Sequence, residues 1–267
     1  MRSNTGQILY IPRIGQRANL QHPSMKGCVG WWPLTDGGGG ITKDLVGSND
    51  GTLDSGVTWE TAELGTAAKF DGTNNAKITL GSEPVSGQTI SISTWFYSES
   101  TNTSQAIYCS TPNAKNYLVY NGNSQSVGWD QYPPGGGGGG SGNSTALRGR
   151  WNHAVVTQDA TTSKIYVNGE LKTTFTAEVY SSTATTFYIG YRRPGQVMAG
   201  SIQNLRVWSR VLSSSEVLEL YINPWSGLSM PSATRYFFVP TQIQQIFPPR
   251  MKLKTSINVG KGGRIVI

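Results

Sequence analysis

The run Lys164-Ile165-Tyr166-Val167-Asn168-Gly169-Glu170-Leu171-Lys172-Thr173-Thr174-Phe175 decides the fold class. β-Branched and aromatic residues flank Asn168-Gly169, and Asn-Gly is the pair that accepts two successive positive φ angles. The stretch reads as a β-hairpin closed by a type I′ turn, each strand turning one face to a core.

The same pattern continues in both directions. Ile90-Ser91-Ile92-Ser93-Thr94-Trp95-Phe96 alternates, and Tyr117–Tyr120, Trp151–Val156, Phe187–Gly190 and Ile202–Trp208 are further strands bounded by Gly, Asn and Ser. Many short strands between turns predict an all-β antiparallel sandwich or jelly roll, here one domain over 27–226. Trp31, Trp95, Trp151 and Trp208 are expected in its core. One short helix is marked. Ser213 to Glu216 has capping-box spacing, Leu212 can staple on Val217, and Asn223-Pro224 stops the helix after about two turns.

Charge is unevenly placed. Residues 1–35 carry Arg2, Arg13, Arg17 and Lys26 and no acid, and residues 241–267 carry Arg250, Lys252, Lys254, Lys261 and Arg264 and no acid. The formal net charge is +7, so the region between these ends is slightly acidic. This predicts a near-neutral body with an N-terminal arm (1–26) and a C-terminal arm (227–267). Arg13, Arg17, Arg250, Lys252, Lys254 and Arg264 would then dock on acidic protein surfaces; solvated tails are the plainer reading. Nucleic acid is disfavoured, because the cations are spread thinly outside any recognition motif. No membrane span and no secretory h-region is visible. The two cysteines, Cys28 and Cys109, are too few for a disulfide framework or a zinc site; they read as buried small hydrophobes, with a mutual disulfide as the minor option.

Gly30-Trp31-Trp32-Pro33-Leu34, Asp44–Leu53, Phe70-Asp71-Gly72, Trp151–Val156, Ile165–Leu171 and Gly200–Ser213 stand in an order and spacing that resemble the concanavalin A-like jelly roll of the laminin-G and pentraxin type. The resemblance covers roughly residues 27–225. Leu220–Trp225, followed by Arg235-Tyr236-Phe237-Phe238-Val239-Pro240, is similar to the end of laminin-G-like structural proteins of tailed bacteriophages. That second likeness implies a non-enzymatic virion protein, a capsid decoration or tail component assembled in the host cytoplasm. Its partners would be other virion proteins held through the arms, with homo-oligomerisation and adsorption to cell-surface glycans. A stand-alone lectin-like module is the alternative reading, and a jelly-roll glycoside hydrolase a weaker one.

The residues argue against an enzyme. Jelly-roll hydrolases place paired carboxylates on one strand face as Glu-x-Asp-x-x-Glu, and no such string occurs. Glu60 and Glu63 have odd spacing and read as a solvated loop. His22 and His153 are far apart, with His153 expected to be structural. Neither Gly37–Gly40 nor Gly135–Gly140 has the Lys-Ser/Thr ending of a phosphate loop. In pentraxin-type modules acidic calcium ligands follow a late Ile-Gly, whereas Ile189-Gly190 here precedes Tyr191-Arg192-Arg193; no metal or cofactor is implied. Asp71, Asn74 and Asn75 are assigned to a turn. Glycan binding without metal needs aromatic faces beside hydrogen-bonding groups. Trp129, Asp130 and Tyr132 beside Gly135–Gly140, with Asn121 upstream, are the first candidates; Tyr191, Arg192 and Arg193 are the second.

Overall fold

The computed structural model describes residues 16–62, 64–81, 84–85, 87–102, 104–111, 116–131, 144–178, 186–228, 258–260 and 264–266. They divide into two compact units, Met1–Leu228 and Ser229–Ile267. The first is a sandwich of two antiparallel sheets. Sheet I runs in the order β14 (Glu170–Thr176), β13 (Thr162–Val167), β12 (Trp151–Gln158), β7 (Ile90–Tyr97), β18 (Ala199–Trp208), β5 (Gly65–Asp71), β4 (Val57–Ala62), with β1 (Cys28–Trp32) also paired to β18. Sheet II runs β11 (Ser144–Thr145), β10 (Ser126–Gln131), β9 (Asn116–Asn121), β8 (Gln105–Thr111), β15 (Thr186–Ile189), β6 (Ile78–Leu80), β3 (Gly51–Leu53), β2 (Ile41–Thr42). A small hairpin of β16 (Tyr191–Arg193) and β17 (Gln196–Val197) follows β15. In the second unit β19 (Asn258–Gly260) and β20 (Arg264–Val266) pair with each other.

The alternation read from the sequence fills the space between the sheets. Ile92, Phe96, Val156, Ile165 and Ile202 of sheet I join Tyr108, Leu118, Trp129, Phe187 and Ile189 of sheet II in one buried cluster. Asn168 and Gly169 have φ of 53° and 83°, as the hairpin turn requires. Strand β18 departs from plain alternation. Asn204, at φ 54°, is the extra residue of a bulge between Gln203 and Arg206. The bulge resets the faces, so that Ile202, Leu205 and Val207 all point to the main core.

A second apolar layer covers the outer face of sheet I. Helix α1 (Ser214–Ile222) carries the expected capping box, and Leu212, Val217 and Leu220 pack on Val155, Tyr166 and Trp208. Beyond the helix, Pro224–Leu228 is tied down by Arg206, which is fully buried. Its Nε donates to Asn204 Oδ1 at 3.0 Å and its Nη1 to the Ser226 carbonyl at 2.8 Å, while Nη2 donates to the Pro224 carbonyl. The guanidinium lies 3.7 Å from the Trp31 ring centroid. Burial lowers its pKa to about 9. Next to it His153 is also fully buried, hydrogen-bonded through Nε2 to Ser93 Oγ at 2.8 Å, its ring against those of both Trp95 and Tyr221. Burial, helped by the Arg206 charge, pushes its pKa down to about 3. His153 is structural, as expected.

Several details differ from the sequence reading. The described part of the expected N-terminal arm belongs to the body: Ala18 bridges Leu228, Trp208 Nε1 donates to the Ser24 carbonyl at 2.9 Å, and Met25 is buried. The body extends to Leu228, two residues past the boundary at 226. Trp151 is only half-buried, because it opens β12 at the rim, opposite Tyr97. Trp31, Trp95 and Trp208 are buried. No disulfide joins Cys28 and Cys109, and Cys28 is only half-buried, its thiol pushed up to about 12 by desolvation.

Candidate functional site

Strand register builds the site on the outer face of sheet II. Tyr188 of β15 lies opposite Thr79 of β6 and Cys109 of β8. Cys109 lies opposite Tyr117 of β9, and Tyr117 opposite Asp130 of β10. Because side chains alternate, this row faces outward while its chain neighbours Phe187, Ile189, Tyr108, Leu118 and Trp129 fill the core.

The β16–β17 hairpin folds onto this row. Gly190, at φ 82°, makes the bend, and a Cβ there would stand 2.2 Å from the Phe70 ring. Arg192 is thereby carried to 3.8 Å from the Tyr117 ring centroid; its Nη1 donates to Tyr117 Oη at 2.8 Å and to Gln196 Oε1 at 2.7 Å. Arg193 Nε donates to the same Gln196 oxygen at 2.9 Å, and its side chain is exposed. The Tyr117 hydroxyl is also hydrogen-bonded to Asp130. Burial raises the Asp130 carboxyl above the usual carboxylate range, against the lowering effects of Tyr117 and Arg192. Beside this chain the half-buried rings of Tyr188 and Tyr191 meet edge to face at 5.5 Å. Lys77 Nζ sits 5.2 Å from the Tyr191 centroid and 3.0 Å from Asp54 Oδ2.

Asp130, Tyr191, Arg192 and Arg193 are thus brought to one face, although they came from two separate sequence clusters. Trp129 does not join them. It is 0% exposed and its Nε1 donates to Gln158 Oε1 at 2.8 Å, so it offers no ring face to a ligand. Consecutive residues of a strand point oppositely, so exposing Asp130 buries Trp129. Asn121 Oδ1 accepts from the backbone of Asn123 and Ser124 at 3.1 and 3.0 Å and shapes a turn. Tyr132 and Gly135–Gly140 lie outside the described residues, as do Arg13, Arg250, Lys252 and Lys254. Arg17 is exposed, and Arg264 opens β20. Tyr117, Tyr188, Lys77 and Gln196 were missed: period two shows which residues share a face of one strand, but only register across strands shows that they converge.

Glu60 and Asp71 have structural roles. Glu60 lies on β4, not in a loop; it accepts from Ser201 Oγ and pairs with Lys69 Nζ at 2.9 Å. Glu63 lies outside the described residues. Asp71 Oδ1 accepts from Thr73 N at 2.9 Å, the expected turn. Among the described residues no three His, Cys, Asp or Glu side chains converge as a metal site, and no helix is long and apolar enough to cross a membrane.

Comparison with known proteins follows the fold. The laminin-G-type family model described as the concanavalin A-like lectin/glucanases superfamily matches residues 71–218. No curated protein sequence matches the chain. Among solved structures it is similar to the binding domain of Paraclostridial Mosquitocidal Protein 1, with 14% identity and a TM-score of 0.59 over 73% of this chain and 52% of that one. It is also similar to domain 4 of AbnA, a GH43 extracellular arabinanase from Geobacillus stearothermophilus, in complex with arabinotriose (18% identity, TM-score 0.56, 73% of this chain, 98% of that one). A third is the receptor binding domain of botulinum neurotoxin type G (16% identity, TM-score 0.60, 79% and 56%). The chain spans about half the length of the two toxin domains. At these identities the likeness is one of fold.

Proposed function

The chain belongs to the concanavalin A-like lectin/glucanases superfamily, and from that premise we propose that it is a non-enzymatic carbohydrate-binding module whose site is the outer face of sheet II. The observation that carries this reading is the joining of half-exposed aromatic rings, Tyr188 and Tyr191, with the cations Lys77, Arg192 and Arg193. Such a face takes the apolar side of a sugar ring and hydrogen-bonds or ion-pairs with its substituents. The cations favour a glycan with carboxylate or sulfate groups. Glycans bound by the structural neighbours, arabinotriose in the arabinanase domain for one, support the class and not the identity of the ligand. The test is calorimetric titration of the full chain with carboxylated and sulfated oligosaccharides, with reducing ends monitored. Binding without cleavage, weakened at least about tenfold in Arg193→Ala and Tyr191→Ala, is expected. Equal affinity in these variants, or release of new reducing ends, would overturn it.

A second reading places this module in a phage virion, in the capsid or tail, assembled in the host cytoplasm. The acid-free basic C-terminus supports it, together with the separate unit Ser229–Ile267. Its described hairpin, β19–β20, has two strands, and an isolated pair of strands is marginal in water without a partner. Light scattering on the full chain checks it. A defined oligomer that dissociates in Lys252→Glu/Lys254→Glu supports assembly through this segment, and a 28.8 kDa monomer removes it.

A further inference from the structure

The opposite side of the sandwich carries an aromatic ledge. Trp151 of β12 and Tyr97 of β7 are cross-strand partners on the outer face of sheet I, both half-buried, with ring centroids 5.9 Å apart. One step inward on the same face, His153 and Trp95 form the next row. That inner row is roofed by Tyr221 of helix α1, whose ring is stacked on Trp95 at 5.7 Å with 14° between planes. The outer row has no such stacked ring among the described residues. The face therefore already holds one flat ring against an aromatic row, and the next row repeats the platform at the rim.

The groups around the ledge are mainly acceptors. Tyr97 Oη donates to the exposed carboxylate of Glu99. On the far side, Ser201 lies opposite Tyr97, and its hydroxyl donates to Glu60, which pairs with Lys69. Behind it, Trp95 Nε1 and Gln203 Oε1 are buried without hydrogen-bond partners, and Trp95 and Gln203 face each other in register. One of these atoms is a donor and the other an acceptor, the complement of a hydroxyl, which both accepts and donates. Trp95 itself is 8% exposed.

We propose that the Trp151–Tyr97 ledge is a second saccharide site, selective for neutral, hydroxyl-rich sugars. The rings stack on the C–H face of a pyranose, and Glu99 accepts from its hydroxyls. Glu99 disfavours anionic sugars, Lys69 offsetting Glu60, whereas the sheet II face carries three cations. The site does not rest on the sheet II reading, since the two share no residue.

The experiment is an NMR titration of the full-length ¹⁵N-labelled chain with neutral trisaccharides (cellotriose, xylotriose, maltotriose and arabinotriose), following the indole N–H signals of Trp151 and Trp95. The expected result is saturable movement of these signals with at least one sugar, weakened at least about tenfold by Trp151→Ala and by Glu99→Lys and unchanged by Arg193→Ala. Glu99 is exposed, so Glu99→Lys stays folded even where Trp151→Ala does not. Absence of movement with all four sugars, or movement insensitive to Glu99→Lys, would overturn the ledge. Sugar binding lost only in Arg193→Ala would overturn the ledge while upholding the sheet II site.

Discussion

At the scale of single residues, a buried neutral imidazole and a buried guanidinium govern how sheet I holds its outer layer. His153 has its pKa lowered from 6.5 to about 3 by burial first and by Arg206 second. The unfolded chain therefore binds a proton that the folded chain refuses between these limits, and stability falls as pH drops below about 6.5. At pH 5.5 the loss is about 1.4 kcal/mol relative to pH 7.5. Urea denaturation at pH 7.5 and 5.5 reads it, and His153→Gln is expected to flatten the difference. Arg206 differs in kind, because its charge is satisfied by the side-chain oxygen of Asn204 and the carbonyls of Pro224 and Ser226. Arg206→Met takes the donor from the Ser226 carbonyl and one of two donors each from Asn204 Oδ1, which Trp31 Nε1 still serves, and the Pro224 carbonyl, which Asn204 Nδ2 still serves. It leaves the buried Ser226 carbonyl unpaired, at a cost of about 3 kcal/mol. It also releases Pro224–Leu228, which amide hydrogen exchange would detect as lost protection confined to that segment. The structural role of His153 was legible beforehand, whereas that of Arg206 was not. A plain period-two reading of Ile202–Trp208 puts Ile202 and Arg206 on one face, and only the bulge at Asn204 separates them.

At the scale of elements, the sequence was most informative where a turn or cap has its own chemistry. Asn168-Gly169 and the Ser213–Glu216 capping box lie where the residue types demand, because each encodes local geometry that needs no distant partner. Gly169 adds a tertiary requirement, since a Cβ there would come to 3.0 Å from the Tyr221 ring and 3.1 Å from Leu218 of the helix. Gly169→Ala is expected to cost more than the ~1 kcal/mol of an ordinary strained glycine site, measured by thermal unfolding. Glu216 extends the pH argument. Hydrogen bonds from Arg210, then from the Ser213 backbone and hydroxyl, hold its pKa near 2 against burial. A depressed carboxylate contributes stability above its unfolded pKa of 4.5 and loses it as pH falls toward about 2. This window lies below the range where His153→Gln is tested. Glu216→Gln is expected to leave the pH 5.5 behaviour intact and to reduce the further loss between pH 4.5 and 2. What lay beyond the sequence at this scale was pairing. Tyr117 and Asp130 are thirteen residues apart and meet through β9–β10 register, while Arg192 reaches them only because Gly190 bends the chain back over the sheet.

At the scale of the whole molecule, composition predicted a near-neutral body. The fold distributes that body's charge over two faces of different sign. The outer face of sheet II presents Lys77, Arg192 and Arg193 beside its tyrosines, and the sheet I ledge presents Glu60 and Glu99 beside Trp151 and Tyr97. Each face has an opposite charge within it, Asp54 and Asp130 on one and Lys69 on the other, so neither is a single-sign field. Ionic strength separates the two faces without any mutation. The Debye length shortens from about 10 Å at 0.1 M salt to about 3 Å at 1 M, and exposed charges such as Arg193 are screened first. Binding of a sulfated or carboxylated oligosaccharide to sheet II is therefore expected to weaken several-fold over that range. Binding of a neutral trisaccharide at the ledge rests on stacking and short hydrogen bonds, which salt hardly touches, so its affinity stays within about a factor of two. Calorimetry of the same full-length sample across both salt concentrations reads both responses. A parallel loss for neutral and acidic sugars would mean that one electrostatic surface serves both, and the division of labour between the faces would be wrong.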